Sequence, residues 1–192
     1  FLALLNVLDV KDPKVELSIA NSLWAREGVD FYEDFLKRSR DYFGAEVTAL
    51  DFNLPDAADV INAWVENRTN GKIKDLISPP IDRAAVLFLI NAIYFNAPWQ
   101  TPFPALQTRD IPFHLPDGTV KEHSVMFNTG QFSYLERDGF QAVQLPYGET
   151  GRMSMYVFLP NQDKDLQDFY GELNPANWDE WVMSFKETSV AL

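Results

Sequence analysis

Hydrophobic and polar positions along this chain follow two alternating grammars. In ELSIANSLWAR, Leu17, Ile19 and Leu23 share one parity and Ala20 and Trp24 the other, the period of a strand with one well-buried face. The period then lengthens. Phe31, Phe35, Leu36, Tyr42 and Phe43 recur near helical spacing, Asp30 and Glu33 stand at capping-box spacing, and Gly44 supplies a stop. EVTALDF reads as a short strand, and from Asp56 the stripe Val60, Ile61, Trp64, Val65 predicts an amphipathic helix ending at Asn70-Gly71.

Ala84 to Phe95 is apolar on both parities: Ala85, Leu87, Leu89, Ile93 and Phe95 against Val86, Phe88, Ile90 and Tyr94. Period alone does not separate a central strand from a buried helix here; β-branched and aromatic content and the following Pro98 favour the strand, and the helix stays open. In the middle of this apolar run, part of LFLINAIYFNAPWQTPF, stands one amide, Asn91. An amide in a core is costly unless hydrogen-bonded, so Asn91 marks a specified junction whose partners the sequence does not name.

Beyond it the pattern is β. Turn signals at Pro116-Asp117-Gly118, Asp138-Gly139 and Gly148 to Gly151 separate the runs QFSYLE, FQAVQLPY and RMSMYVFLP, as in an antiparallel meander. Two helices follow, one through Leu166, Phe169, Tyr170 and Leu173, the other with Asn174 as N-cap, Pro175 in its first turn, and Trp178, Trp181, Val182 and Phe185 on one face. Strands and helices mingle without βαβ regularity, repeats or linkers, which makes the class α+β. The opening FLALLNVLDV reads as a helix end, because Asn6 and Asp9 interrupt it and it lacks the basic start and cleavage site of a signal peptide. The chain starts without Met and ETSVAL reads as a strand just beginning, so both ends are expected to be cut from something longer.

Composition narrows the chemistry. Of 192 residues, 46% are hydrophobic, enough for a sizeable core, and 28 acids against 16 bases give a net charge of −12 that repels polyanions and anionic membranes. We therefore expect neither a nucleic-acid partner nor a membrane. Cysteine is absent, which removes disulfides, thiolate nucleophiles and cysteine zinc sites but leaves the compartment open, extracellular or cytoplasmic. His114 and His123 flank one turn and could meet in a hairpin with Glu122, but a zinc site needs more ligands than this, so no metal or other cofactor is expected. Nucleophile-elbow, phosphate-loop, metalloprotease and dinucleotide motifs are all missing, and no catalytic residue is assigned. Carboxylate pairs such as Glu33 with Asp34 and Asp165 with Asp168 allow a glycosidase-type hydrolase as a rival reading. Helical spacing instead puts Asp165, Asp168 and Glu172 on a solvated face. Arg68, Lys72 and Lys74 form a basic cluster, a docking patch for an acidic partner or simply a soluble surface, and the sequon Asn67-Arg68-Thr69 reads as chance.

Two stretches carry a family resemblance. INAWVENRTNGKIKDLI, Ile61 to Ile77, followed by LFLINAIYFNAPWQTPF, Leu87 to Phe103, resembles the serpin family, in which a helix ending I-N-x-W-V-x-x-x-T-x-G-K-I-x-D-L-I precedes a central strand L-V-N-A-I-Y-F-K-G-x-W. The likeness continues through FHLPDGTVKEHSVMF and VQLPYGETGRMSMYVFLP into the Trp178 helix, covering nearly everything from Val15 onward. Asn96-Ala97-Pro98 departs from the family's Lys-Gly and alters the strand exit.

The resemblance implies mixed β-sheets with surrounding helices and, in the whole protein, suicide inhibition of serine, sometimes cysteine, proteases through an inserting reactive loop. It implies that Ala84 to Asn96 is a central sheet strand beside the insertion gap, with Asn91 in the shutter and Trp99 in the breach. The helix carrying Asn62 and Trp64 would cover the sheet and yield during insertion. Residues 1–192 would form part of a single serpin-like domain lacking the N-terminal helices, the reactive-centre loop and the C-terminal strands. The fragment alone is then expected not to inhibit, and to aggregate through its open edges. A non-inhibitory carrier or chaperone serpin is the alternative.

Overall fold

The computed structural model describes residues 2–8 and 11–192, in two compact units, residues 1–97 and 98–192. In the first, α1 (Leu2–Leu8) agrees with the helix end read from FLALLNVLDV, of which Phe1, Asp9 and Val10 lie outside the described residues. It is followed by β1 (Glu16–Arg26), α2 (Glu33–Phe43), β2 (Glu46–Leu50), α3 (Ala57–Arg68) and β3 (Leu87–Asn96). The strands form a sheet in the order β2-β1-β3, β2 parallel to β1 and β3 antiparallel to it. The register sets Trp24 opposite Phe88 and Asn21 opposite Asn91.

Strand alternation gives this sheet two different faces. On one, α3 sets Ala57, Ala58, Ile61 and Val65 against Trp24, Phe52, Ile81 and Ile90, all buried. The other carries Asn21, Leu23, Leu89, Asn91 and Ile93. The run from Ala84 to Asn96 forms a strand, as the resemblance implied, but only over Leu87–Asn96, because Asp82 caps a turn before it, its Oδ1 accepting from the Ala84 amide at 2.8 Å. The expectation that this run lies wholly inside is not met: Ile90 and Ala92 are 8% and 2% exposed, whereas Leu89 and Ile93 are 67% and 57% exposed.

Two smaller expectations also change. α2 begins at Glu33 with Tyr32 at its N-cap and no side-chain cap, so Asp30 and Glu33 make no capping box: Glu33 is the first helical residue and cannot reach back from the third. Gly44 does end α2, at φ 59°. On α3, Val60 is 43% exposed and falls outside the buried stripe, which Ala57, Ala58 and Asn62 complete instead. Turn residues stop α3 as the sequence indicated, Asn70 and Gly71 both taking positive φ.

In the second unit, a hairpin of β4 (Arg109–His114) and β5 (Val120–Val125) precedes β6 (Thr129–Arg137), β7 (Phe140–Pro146), β8 (Ser154–Pro160), α4 (Leu166–Glu172), α5 (Pro175–Ser184) and β9 (Lys186–Ala191). The meander is present, in the order β8-β7-β6-β9, and ETSVAL is a formed strand whose partner is β6. Both helices begin on side-chain caps: Asp165 accepts from the Gln167 amide at 2.8 Å, and Asn174 from the Asn177 amide at 3.0 Å. They pack Phe169 and Trp181 onto Leu135, Phe140 and Ala142 of the sheet.

Candidate functional site

The amide at the middle of β3 has a partner that sequence reasoning did not name. Asn91 Nδ2 donates to Asn21 Oδ1 at 2.8 Å, and Asn21 Nδ2 donates in turn to the Phe43 carbonyl at 2.8 Å. The relay runs from β3 through β1 to the last turn of α2, where a helix leaves its carbonyls without intrahelical donors. Asn91 is exposed on this face, which corrects the expectation of a buried amide, and the groove of about 300 Å³ beside it is lined by Phe35, Ser39, Phe43 and Leu89. Asn21 carried the same signal as Asn91, a single amide interrupting an apolar strand pattern.

On the opposite face, α3 positions the two residues the resemblance singled out. Asn62 is 9% exposed, and its amide closes both ways on one peptide: Nδ2 donates to the Ile77 carbonyl at 2.8 Å, and Oδ1 accepts from the Ile77 amide at 2.8 Å. This pair holds the segment after α3 against the helix. Trp64 sets its ring edge-on to Trp24, with centroids 6.3 Å apart, and donates Nε1–H to Glu46 Oε2 at 2.7 Å. Arg68 reaches the same oxygen at 3.3 Å and lies 5.6 Å from the Trp64 ring centroid.

The basic cluster of the sequence is therefore largely engaged, because Lys74 also pairs with Glu66 at 2.9 Å, a contact that raises its pKa. Thr69, the last residue of the sequon, is 1% exposed and donates its hydroxyl to the Val65 carbonyl at 2.8 Å.

Trp99 belongs to the second unit. It stacks on Tyr147 at 4.5 Å and 16° and meets Phe103 edge-on at 6.5 Å. The Gly148 amide donates to the Pro98 carbonyl at 2.9 Å and the Gln100 amide to the Pro146 carbonyl at 2.8 Å, which lays residues 98–100 along the end of β7. Burial raises the Tyr147 pKa. Tyr147 was legible only as the end of the strand run FQAVQLPY; its place under Trp99 comes from pairing across about 50 residues, which no local pattern encodes.

The remaining chemical candidates do not assemble. His114 lies opposite Val120 and His123 opposite Ile111, so the imidazoles point to opposite faces of the hairpin, and His123 packs edge-on to Phe113 at 5.8 Å. Among the described residues no group of three or more His, Cys, Asp or Glu could hold a metal ion. Asp165, Asp168 and Glu172 are exposed along α4, as the solvated-face reading required. No helix among the described residues is long and apolar enough to cross a membrane.

A mixed sheet covered by one helix, with an amide pair joining β1 to β3, and in the second unit an aromatic-packed antiparallel meander, define an α+β fold of serpin type. The family model described as Serpin (serine protease inhibitor) matches residues 1–192, and the chain belongs to that family. It is 36% identical over 191 residues to an uncharacterized serpin-like protein of Thermococcus kodakarensis, covering 96% of this chain and 43% of that one. Human neuroserpin is 35% identical over 195 residues, with 96% and 47% covered. Among solved structures, native protease nexin-1 with heparin superposes with a TM-score of 0.81 at 26% identity, covering 94% of this chain and 50% of that one. Emu ovalbumin superposes at 0.84 and 25% identity, covering 99% and 51%. The chain thus spans about half the length of these relatives. Serpins are generally protease inhibitors rather than catalysts.

Proposed function

We propose that this chain is the sheet-switching part of a serpin-class serine protease inhibitor, not an enzyme, and that the whole protein acts by inserting its own cleaved loop. In this reading residues 1–192 are the central part of a single serpin domain, and target recognition resides in a loop outside these residues. The observation that carries it is the position of β3. It is the last strand of its sheet, paired only with β1 among the described residues, so its outer edge is available to a further strand.

Asn91 then acts as the shutter residue. Its bond to Asn21 joins two side chains, not two backbones, so it can be exchanged for another partner while the ladder between β1 and β3 stays intact. Trp99 is assigned to the breach, where its stack on Tyr147 fixes the strand exit, and Asn62 and Trp64 to the helix that yields. The target is a serine protease, or in some family members a cysteine protease. The net charge of −12 argues against polyanions as partners of this part.

The test is incubation of the full-length polypeptide carrying this sequence with trypsin-like, chymotrypsin-like and subtilisin-like proteases, read on a denaturing gel. A complex that survives boiling supports trapping. Cleavage without a complex by all three overturns it and points to the carrier or chaperone reading.

A further inference from the structure

We propose that Glu46, Trp64 and Arg68 are positioning residues of the switch: a latch that fixes the C-terminal half of α3 to the edge strand β2 and sets how readily α3 lifts. The inference rests on the inhibitory reading for its consequence, but not for its geometry.

α3 touches the sheet mainly through small or branched residues, Ala57, Ala58, Ile61 and Val65, with one ring, Trp64, set edge-on to Trp24. Away from Trp64 such a face slides over a sheet with little interlocking, unlike one that inserts rings between neighbours. Further directional hold comes from polar contacts, and the Asn62 pair with Ile77 supplies none to the sheet: both members belong to α3 and its return segment and travel together. What reaches the sheet is grouped at one end. Glu46 Oε2 on β2 takes both Trp64 Nε1–H at 2.7 Å and Arg68 Nη2–H at 3.3 Å, and just past the helix Asn70 Nδ2 donates to Glu16 Oε1 on β1 at 2.5 Å.

Two sheet carboxylates therefore stand at the negative end of the α3 dipole, where an anion is held only by the donors that meet it. Arg68 also lies against the Trp64 ring, so moving either side chain weakens the other's bond to Glu46. The N-terminal half of α3 has apolar packing alone among these contacts. A helix held this way is anchored at its C-terminal end, and losing the latch frees that end first.

The experiment uses the full-length polypeptide with E46A, W64F, the E46A/W64F double variant and R38A, the last removing an exposed ion pair on α2 as a control. W64F keeps a six-membered ring but removes the N–H donor together with the rest of the pyrrole ring, so E46A, which leaves the Trp64 ring and its contact with Trp24 in place, is the variant that isolates the hydrogen bond. Hydrogen exchange should quicken at the amides of residues 64–69 by ~3- to 10-fold in E46A and in W64F, the range of one hydrogen bond to a charged group at a half-exposed site. Amides near Val60 and along β1 should hold, and the double variant should exceed neither single by more than about twofold if the two residues act as one unit. With a protease that the wild type traps, the fraction of encounters ending as stable complex should rise in E46A and W64F and stay level in R38A.

Unchanged exchange at residues 64–69, or uniform quickening along the whole chain, overturns the latch. Local quickening with an unchanged trapped fraction overturns its role in the switch. If the wild type traps no protease, the inhibitory reading falls, and exchange alone decides whether α3 is latched to β2.

Discussion

The two units each cover one face of a sheet with helix, and they do so by opposite means. On β2-β1-β3, α3 offers two alanines, an isoleucine and a valine with one edge-on ring, Trp64, and takes its fixed points on the sheet from hydrogen bonds at Trp64 and Arg68. On β8-β7-β6-β9, α4 and α5 drive Phe169 and Trp181 among Phe140 and Phe158. There Phe140 and Trp181 centroids are 4.8 Å apart, and Phe169 stacks on Trp181 at 5.9 Å and 15°. Interlocked rings have one good arrangement, and leaving it forfeits contact on all sides at once. Small residues with a few directional bonds have several arrangements of similar energy. On the proposed reading the difference divides labour: the second unit holds its packing while the first is the one that is re-seated.

The sharpest way to break this comparison is at Trp181, 5% exposed at the centre of the ring cluster. W181A should cost about 3–5 kcal/mol, the range for emptying a buried indole site, read by thermal or urea unfolding of the full-length polypeptide. A loss below about 1 kcal/mol would mean that the cluster repacks freely, and the contrast between the units would go.

Second in size is Asn62. Truncation to alanine strands both the amide and the carbonyl of Ile77, part-buried groups that then lack the partners seen here. The expected cost is about 1–3 kcal/mol. N62D keeps the acceptor for the Ile77 amide but sets a carboxylate against the Ile77 carbonyl, so it should recover no more than part of the loss. Full recovery would show that packing, not the reciprocal pair, is what Asn62 supplies.

How much of this was readable beforehand follows the range of the interaction. Helix ends written in local chemistry were legible: Gly44, Asn70-Gly71, Asn174 and Pro175 all stand where they were read. Strand alternation was legible too, except where both parities are apolar. There the chain states that residues 87–96 are apolar but not which face is covered, because cover is supplied by residues far away in sequence. For the same reason Asn91 could be singled out but not its partner: Asn21 lies 70 residues upstream, and only the register of β1 on β3 brings the two amides together. The missed capping box shows the converse. Asp30 and Glu33 have the right spacing, but a spacing becomes a cap only if the helix has its N-cap at that residue, and this one has it two later, at Tyr32.

Asn91 itself should have a smaller effect on stability than its place in the strand suggests. It is exposed and makes a side-chain bond to one neighbour, so N91A should cost about 0.5–1.5 kcal/mol, the net value of an ordinary hydrogen bond. N21A should cost as much or more, because it removes both links of the relay. The double variant should equal N21A alone, since without Asn21 the Asn91 amide has nothing to lose. Additive losses would show that Asn91 acts through some other contact, and would move the shutter assignment away from the pair.

The smallest effect expected concerns alkaline pH and separates the units by chemistry instead of by packing. Burial raises the pKa of Tyr134, Tyr147 and Tyr156, all in the second unit, above the ordinary 10.0. A phenol with a raised folded-state pKa binds its proton more tightly in the native chain than in the unfolded one. Its contribution is therefore fully present below about pH 10 and is lost as pH rises through the folded value. Lys74 in the first unit has the same sign for a different reason: its hydrogen bond to Glu66 stabilises the protonated amine, and that too is lost as pH rises through its raised pKa. A fall in Tm between pH 9 and 11 is thus expected from both units. Y156F should flatten it, because the ring stays packed against Trp178 at 5.3 Å while the ionising group is gone. K74A should change it little, because that ammonium is fully exposed and solvent screens its pair with Glu66. If K74A flattens the fall and Y156F does not, the alkaline weak point lies in the first unit, and the Tyr156 hydroxyl is better hydrated than its ring packing suggests.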